Sequence, residues 1–260
     1  MLRLKAPSRR AHRTAGQHSG VRSVNEFTGR TVIITGAAGN LGRATADAFA
    51  RRGARLALVD LDLDALRSAQ EAIPEGSDSA VFATDLMDPS AVSKMADGIK
   101  ARFGGIDVLA NIAGGFAMGP ALHETTDAQW DHMMDLNART VFNCCRAVVP
   151  ALLETGGGRI INVSARAANR GSGHMAPYCA SKAAVITLTE SLSEELKHRR
   201  INVNCIMPGT IDTPQNRAAM PDGDFDSWVP LDALADVILF LASDAARGVT
   251  GAAVPVYGRS

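Results

Sequence analysis

From Thr28 onward the chain alternates short apolar runs with longer segments of helical periodicity. The runs are Thr31–Thr35, Arg55–Asp60, Ser79–Thr84, Ile106–Ala110, Arg159–Ser164, Ile201–Met207 and Ala253–Tyr257. They are continuous and rich in Val and Ile, the pattern of strands covered on both faces of a parallel sheet. Between them the spacing predicts helices over Leu41–Arg52, Leu61–Ala72, Ala91–Phe103, Asp127–Glu154, Ala180–Arg199 and Leu231–Ser243. In the fifth, Val185, Leu188, Leu192 and Leu196 recur at helical spacing and form one apolar stripe. Strand–helix alternation with right-handed crossovers predicts an α/β fold, a single doubly wound domain on a mainly parallel seven-stranded sheet. No internal repeat and no second domain is visible.

Composition narrows the class. The 260 residues are 46% hydrophobic and 21% charged, with no apolar run long enough to span a bilayer. The 27 Lys and Arg balance the 27 Asp and Glu, which argues against a generic nucleic-acid binder. The balance hides an asymmetry. Residues 1–25 carry six bases (Arg3, Lys5, Arg9, Arg10, Arg13, Arg22) and no acid, leaving the rest net acidic. This segment reads as a disordered basic tail. Two other readings stay open: an Arg-rich mitochondrial presequence, or a misassigned start with the true one near Val21 or Val24. The folded domain then covers 26–260, in the cytoplasm, or in the mitochondrial matrix if the presequence reading holds. Cys144, Cys145, Cys179 and Cys205 form no C-x-x-C and read as reduced thiols filling the core. Cys179 also offers a redox role, since it follows Tyr178. His123 and His132 have no metal-ligand cluster around them, so no metal is expected.

The first strand runs into Thr35-Gly36-Ala37-Ala38-Gly39-Asn40-Leu41-Gly42 and then a helix. Glycines let the backbone turn and let a pyrophosphate approach, and the helix start offers free N–H groups. Asp60 ends the next strand, where a carboxylate accepts from both adenosine-ribose hydroxyls and repels a 2′-phosphate. The arrangement predicts a Rossmann-type dinucleotide site, with NAD(H) favoured over NADP(H). Asp85 with Leu86 is placed to meet the adenine, and small residues in Asn111-Ile112-Ala113-Gly114-Gly115 would let the cofactor cross the strand ends.

Tyr178 and Lys182 are spaced i, i+4 at a helix start and share a face. A free tyrosine titrates near 10, so bringing it to about 7 takes roughly 4 kcal/mol. A lysine ammonium within a few ångströms and a positive nicotinamide are the expected sources. Tyr178 could then exchange a proton with a carbonyl or imine as hydride moves.

Over residues 28–258 the chain resembles the short-chain dehydrogenase/reductase family. The likeness rests on the glycine loop, Asp60, Asp85, Asn111-Ile112-Ala113-Gly114, Asn137, Tyr178-Cys179-Ala180-Ser181-Lys182 and Pro208-Gly209-Thr210-Ile211-Asp212-Thr213. It implies Tyr178 as acid/base, Lys182 as holder of the nicotinamide ribose, and Asn137 as support for a water relay to that lysine. It also implies Ile211 and Thr213 on the carboxamide, within a cofactor wall that includes Pro208 and Gly209. A homotetramer or homodimer, built through the helices at 127–154 and 180–199, is implied too.

Three departures stand out. The second glycine falls at Gly39 rather than at Asn40; asparagine tolerates the left-handed region, so the turn is expected to survive. Ile112 replaces an asparagine. The family's serine, thirteen residues before the tyrosine, is Ala165. Ser164 is one position off and should point to the opposite face unless a bulge intervenes. Loss of one donor to the reacting oxygen costs about 10²–10³ in rate. The dihydropteridine reductase branch of the family tolerates an alanine there and is similar around 113–119 and 212–228. That likeness suggests a quinonoid dihydropterin or another flat conjugated acceptor. Phe116, Met118, Ala165, His174, Met175 and Trp228 are the substrate-side candidates, with Phe116 or Trp228 stacking on a ring and His174 a second proton donor. The alternatives are a carbonyl or alcohol dehydrogenase that works without the serine, and a non-catalytic NAD-binding sensor or scaffold, against which the retained Tyr178 and Lys182 argue.

Overall fold

A computed structural model describes residues 26–259; the basic segment 1–25 and the readings placed on it lie outside the described residues. Seven strands, β1 (Thr31–Thr35), β2 (Arg55–Asp60), β3 (Ser79–Ala83), β4 (Val108–Asn111), β5 (Gly158–Val163), β6 (Ile201–Pro208) and β7 (Ala253–Val256), form one sheet. Its order is β3-β2-β1-β4-β5-β6-β7, and every pairing is parallel. The chain steps outward from β1 to β3, then returns to lay β4 on the other side of β1. A crevice opens where the winding reverses, at the carboxyl ends of β1 and β4.

The continuous apolar runs are explained by two cores, one on each face. Val32, Ile34, Leu56 and Leu58 pack on one side, under α1 (Asn40–Ala50) and α8 (Leu231–Ala242). Ile33, Ala57, Val59 and Leu109 pack on the other, under α3 (Pro89–Phe103), α5 (Thr140–Glu154) and α6 (Ala176–Leu196). Among the described residues no helix is long and apolar enough to cross a membrane.

Caps shift the helix ends. The Asp62 carboxylate accepts from the Asp64 and Ala65 N–H groups at 2.9 and 3.1 Å, so α2 (Leu63–Glu71) starts after the expected Leu61. Asp88 caps α3 and Pro89 fills its first turn, ahead of the expected Ala91. The single helix expected over 127–154 is instead α4 (Asp127–Met134), a π-helical turn (Asp135–Arg139) and α5. The π turn is a single turn inside a run that is helical on both sides, so a reading of helix over the whole run does not reveal it. A six-residue helix, α7 (Pro214–Ala219), was not foreseen. The α6 stripe is also rotated. Leu188 and Leu192 are only partly buried, while Thr189 and Ser193 occupy core positions. They can do so because Thr189 accepts from Asn162 at 2.9 Å and Ser193 bonds Thr250 at 2.9 Å.

Candidate functional site

The glycine loop bridges β1 and α1. Gly36 has φ +67°, and a Cβ there would lie 2.8 Å from the Ala113 nitrogen. A Cβ on Gly42 would lie 2.0 Å from the Gly36 carbonyl oxygen, so helix and loop touch backbone to backbone. Gly39 has an ordinary φ of −77° and serves as the N-cap of α1, with no side chain closing the helix end. Asn40 is already the first helical residue, so the left-handed conformation expected of it is not required. The two Asp60 oxygens accept from the Ala38 N–H at 3.0 Å and the Leu61 N–H at 2.8 Å, fixing the carboxylate beside the loop.

These groups open onto a cavity of about 430 Å³ at the switch point. Gly36, Gly39, Asn40, Leu41, Gly42, Asp60, Asp85, Leu86, Ala113, Gly114, Ile211 and Thr213 line it, as expected for one continuous cleft. Ile112, part of the Asn111–Gly115 segment, lines it as well, and so do Leu61, Thr84, Met87, Leu136, Thr140 and Leu231, which no motif marked. The chemistry of the wall suits a dinucleotide: backbone N–H groups at an uncapped helix start, a fixed carboxylate at one end, and glycines where side chains would obstruct. Pro208, the last residue of β6, and Gly209, which donates to the Val256 carbonyl at 2.9 Å, do not line the cavity.

Asn111 does not face the cleft as the sequence suggested. It ends β4, and its amide donates to Asn162 Oδ1 at 2.9 Å and to the Cys145 sulfur at 3.5 Å, inside the α5–α6 core. Alternation along the strand turns it inward while its neighbours meet the cleft. The Ile112 and Ala113 N–H groups both donate to the Thr35 hydroxyl at 3.1 Å, which holds this turn against β1.

Asn137 lies in the π turn, fully buried. Its Oδ1 accepts from the Gly115 N–H at 3.0 Å, and its Nδ2 donates to the Gly115 carbonyl at 3.1 Å and the Ser181 hydroxyl at 3.1 Å. Ser181 in turn donates to the Tyr178 carbonyl at 2.8 Å. The asparagine side chain therefore clamps the β4 loop to the start of α6. Ser181 stands beside Lys182 in the sequence and had been given no role.

Lys182 is buried, and its Nζ donates to the Val163 carbonyl at 2.9 Å. A Cβ on Gly114 would lie 3.0 Å from that Nζ, so the ammonium sits directly behind the cleft wall. Burial lowers the Lys182 pKa to about 8. Burial also pushes the Tyr178 phenol up to about 12, with the Cys179 thiol adding a smaller push. In the chain alone burial thus outweighs the lysine, and the other expected source of acidity, a positive nicotinamide, belongs to the cofactor complex. The ammonium turns to the end of β5 rather than the phenol, and desolvation then governs both groups.

At the end of β5 the ladder continues one residue further, the Ser164 N–H donating to the Ile206 carbonyl at 2.9 Å. Ser164 is buried, and its hydroxyl donates to the Lys182 carbonyl at 2.7 Å. Ala165 follows in extended conformation (φ −158°, ψ 158°). The expected face alternation holds, with no bulge to bring Ser164 round.

On the substrate side, Phe116 meets the Tyr178 ring edge-on at 5.0 Å and is 57% exposed, free to flank a bound molecule. Met118 is exposed beside it in sequence. His174 is exposed with φ +63°, its carbonyl accepting from the Gly119 N–H at 2.8 Å. Trp228 does not offer its ring to a ligand: it is buried against Phe225 (4.8 Å) and fills space over Gly223. It is the core of the 209–229 loop, which needs one because it lies outside the sheet. The four cysteines are free and buried, and burial pushes Cys145 up to about 12 and Cys205 up to about 11. Thiols so placed are inert, which favours the packing role expected of them over redox chemistry at Cys145 and Cys205.

Residues 30–223 match the family model described as short chain dehydrogenase. The chain is 35% identical to a D-threitol dehydrogenase of Mycolicibacterium smegmatis over 242 residues, 88% of this chain and 92% of that protein. It is 34% identical to a 3-oxoacyl-acyl-carrier-protein reductase of Thermotoga maritima, covering 88% of this chain and 97% of that one. Among solved structures, carveol dehydrogenase from Mycobacterium avium in complex with NAD superposes with a TM-score of 0.84 at 26% identity, covering 90% and 98% of the two chains. With a parallel seven-stranded sheet, a glycine-loop cleft and this breadth of similarity, the chain belongs to the short-chain dehydrogenase/reductase family of NAD(P)-dependent oxidoreductases.

Proposed function

We propose that the cleft binds NAD(H) in preference to NADP(H) and that Tyr178 is the acid/base of hydride transfer to or from a small substrate beside Phe116. The observation that carries this is the Lys182 ammonium, held by the Val163 carbonyl immediately behind Gly114 in the cleft wall. The dinucleotide supplies or accepts hydride. Lys182 offers its charge to the ribose side, Asp60 accepts from the adenosine hydroxyls, and Asp85 and Leu86 flank the adenine. Asn137 keeps Tyr178 and the Gly114–Gly115 turn in fixed relation. The phenol, protonated at neutral pH, donates to the substrate in the reductive direction.

For the substrate, the position of Ser164 favours an acceptor that needs no second hydroxyl donor. A quinonoid dihydropterin, or another flat conjugated acceptor, answers that description, and the exposed Phe116 edge offers it an apolar flank. A second reading, a carbonyl or alcohol dehydrogenase without the serine, is supported by the polyol and oxoacyl relatives. Exposed Trp130 on α4 and Phe142 on α5, both within 127–154, support a homotetramer or homodimer through the helices at 127–154 and 180–199.

The test is turnover by the full chain, followed at the NADH absorbance, with quinonoid dihydropterin, simple ketones and polyols as the panel. Turnover of at least one member, abolished in Tyr178→Phe, is the expected result. Undiminished turnover in that variant overturns the assignment of the tyrosine. NADH binding without turnover on any member leaves a binding protein instead.

A further inference from the structure

Two lips of the cleft are joined by side chains. Asn40, the first residue of α1, donates from its amide to Gln215 Oε1 on α7 at 2.8 Å. Asn40 lines the cavity from the glycine-loop side, while Ile211 and Thr213 line it from the other. α7 is fastened to that second wall. The Thr213 hydroxyl accepts from the Asn216 N–H at 3.1 Å, and the Asn216 amide donates to the Ile211 carbonyl at 2.8 Å. Arg217 grips Asp212 through two bonds of 2.6 and 2.7 Å. α7 and the 211–213 wall are thus one unit, and the amide pair ties that unit to the glycine loop. A glycine at position 40, the residue the family pattern places there, has no side-chain amide to give. Gln215 itself does not line the cavity, so its part is played across the mouth rather than on the ligand.

We infer that Asn40 and Gln215 form a clasp across the cleft, which opens to let the dinucleotide in or out. The inference rests on the cleft being the dinucleotide site. Asn40 lines the cavity and Gln215 does not, so Gln215 is the half that acts as a gate alone, slowing entry and exit together. It therefore changes both rate constants and leaves the dissociation constant in place, whereas a contact residue changes release alone. One neutral hydrogen bond opposes opening by a factor of about 2 to 10.

Stopped-flow NADH fluorescence on the full chain reads both rate constants. Gln215→Ala is expected to raise association and release alike by about 2- to 10-fold, with Kd moving less than about twofold. In the Asn40→Ala background the same change should have no further effect on the rates, because the pair acts as one bond. Unchanged rates in Gln215→Ala overturn the clasp, as does a rise in release alone, or additive effects in the double variant. A wild-type chain that binds neither NADH nor NADPH overturns the dinucleotide reading of the cleft, and the clasp with it. Binding with unaltered rates in Gln215→Ala refutes the clasp alone.

Discussion

The Ser164 hydroxyl donates to the Lys182 carbonyl oxygen at 2.7 Å, while the Lys182 ammonium donates back to the carbonyl of the preceding residue, Val163, at 2.9 Å. The end of β5 thus grips the lysine at both ends. The serine supports the position of the lysine and is turned away from the reacting oxygen. Ser164→Ala should therefore cost about 1 kcal/mol of stability, read by urea unfolding, and less than about tenfold in turnover. A loss of 10²–10³-fold is the signature of a donor to the reacting oxygen, and finding it would refute this geometry. Ala165→Ser, at the next position, should raise activity on simple ketones and leave a conjugated acceptor little changed. Unchanged ketone rates would remove the alanine from the account of substrate choice.

The two titrating groups of the site give stability and catalysis a defined pH dependence. Lys182 falls from 10.5 to about 8 on burial, so between those values the unfolded chain holds more protons and stability rises with pH. Tyr178 rises from 10.0 to about 12, so above 10 the folded chain holds more protons and stability falls again. From about pH 8 to about pH 9 the lysine leads, a gain on the order of 1 kcal/mol at 1.36 per unit, and above 9 the buried thiols of Cys144, Cys145 and Cys205, which keep their protons longer folded than unfolded, oppose it. Lys182→Met should abolish that gain, measured as urea-unfolding free energy against pH. The protonated phenol suits the reductive direction at neutral pH. Reductive kcat/KM should stay flat with respect to the phenol from roughly pH 6 to 7.5, while oxidative kcat/KM climbs with pH. A reductive rate that falls across the neutral range would show a phenol far more acidic than its burial implies.

Much of this was legible in the chain, for identifiable reasons. The buried parallel strands had to be continuously apolar because helices cover both faces, so Thr31–Thr35 and Arg55–Asp60 are found with their expected bounds. The face of Ser164 followed from period-two alternation alone. Three things were hidden. The π turn holding Asn137 is a single turn between two α-helical stretches, and the sequence over 127–154 reads as one helix. The inward turn of Asn111 depends on where β4 ends, one residue later than its apolar run. The direction of the Lys182 side chain depends on a carbonyl supplied by a strand 19 residues away in sequence, which an i, i+4 spacing cannot report. Trp228 illustrates the remaining difficulty: a large ring in a loop can serve a ligand or the loop itself, and only packing decides.

The three loop glycines are not equivalent. At Gly42 a methyl group would overlap the Gly36 carbonyl at 2.0 Å, and at Gly36 it would meet Ala113 backbone on top of a φ of +67°. Neither obstacle is a flexible side chain, so the loop must shift. Gly42→Ala and Gly36→Ala should each destabilise by about 3 kcal/mol or more and weaken NADH binding severely. At Gly39 the nearest atom is 3.3 Å away and φ is −77°. Gly39→Ala, at an N-cap, should cost about 1 kcal/mol or less. Denaturant melts of the three variants would settle the order, and equal losses would contradict it.

Cofactor choice turns on Asp60 and on where Arg43 points. Asp60 is held by the Ala38 and Leu61 N–H groups, so the carboxylate cannot swing away from an incoming 2′-phosphate. Arg43, the nearest base in the loop, donates to the Ala38 carbonyl at 2.9 Å and the Ala65 carbonyl at 3.1 Å. Its Nε and Nη2 thus turn to these carbonyls and to the Ser68 hydroxyl at 3.4 Å. Two like charges about 4 Å apart repel by about 1 kcal/mol in water and about 4 at a protein surface. NADH should therefore be preferred over NADPH by tenfold or more in kcat/KM. Asp60→Ala loses the two backbone acceptors as well as the charge, whereas Asp60→Asn keeps an oxygen for one of them and removes the charge. Asp60→Asn should accordingly bring the two cofactors within about tenfold of each other, mainly through a lower KM for NADPH. A wild-type enzyme that prefers NADPH would mean that the carboxylate does not face the ribose at all.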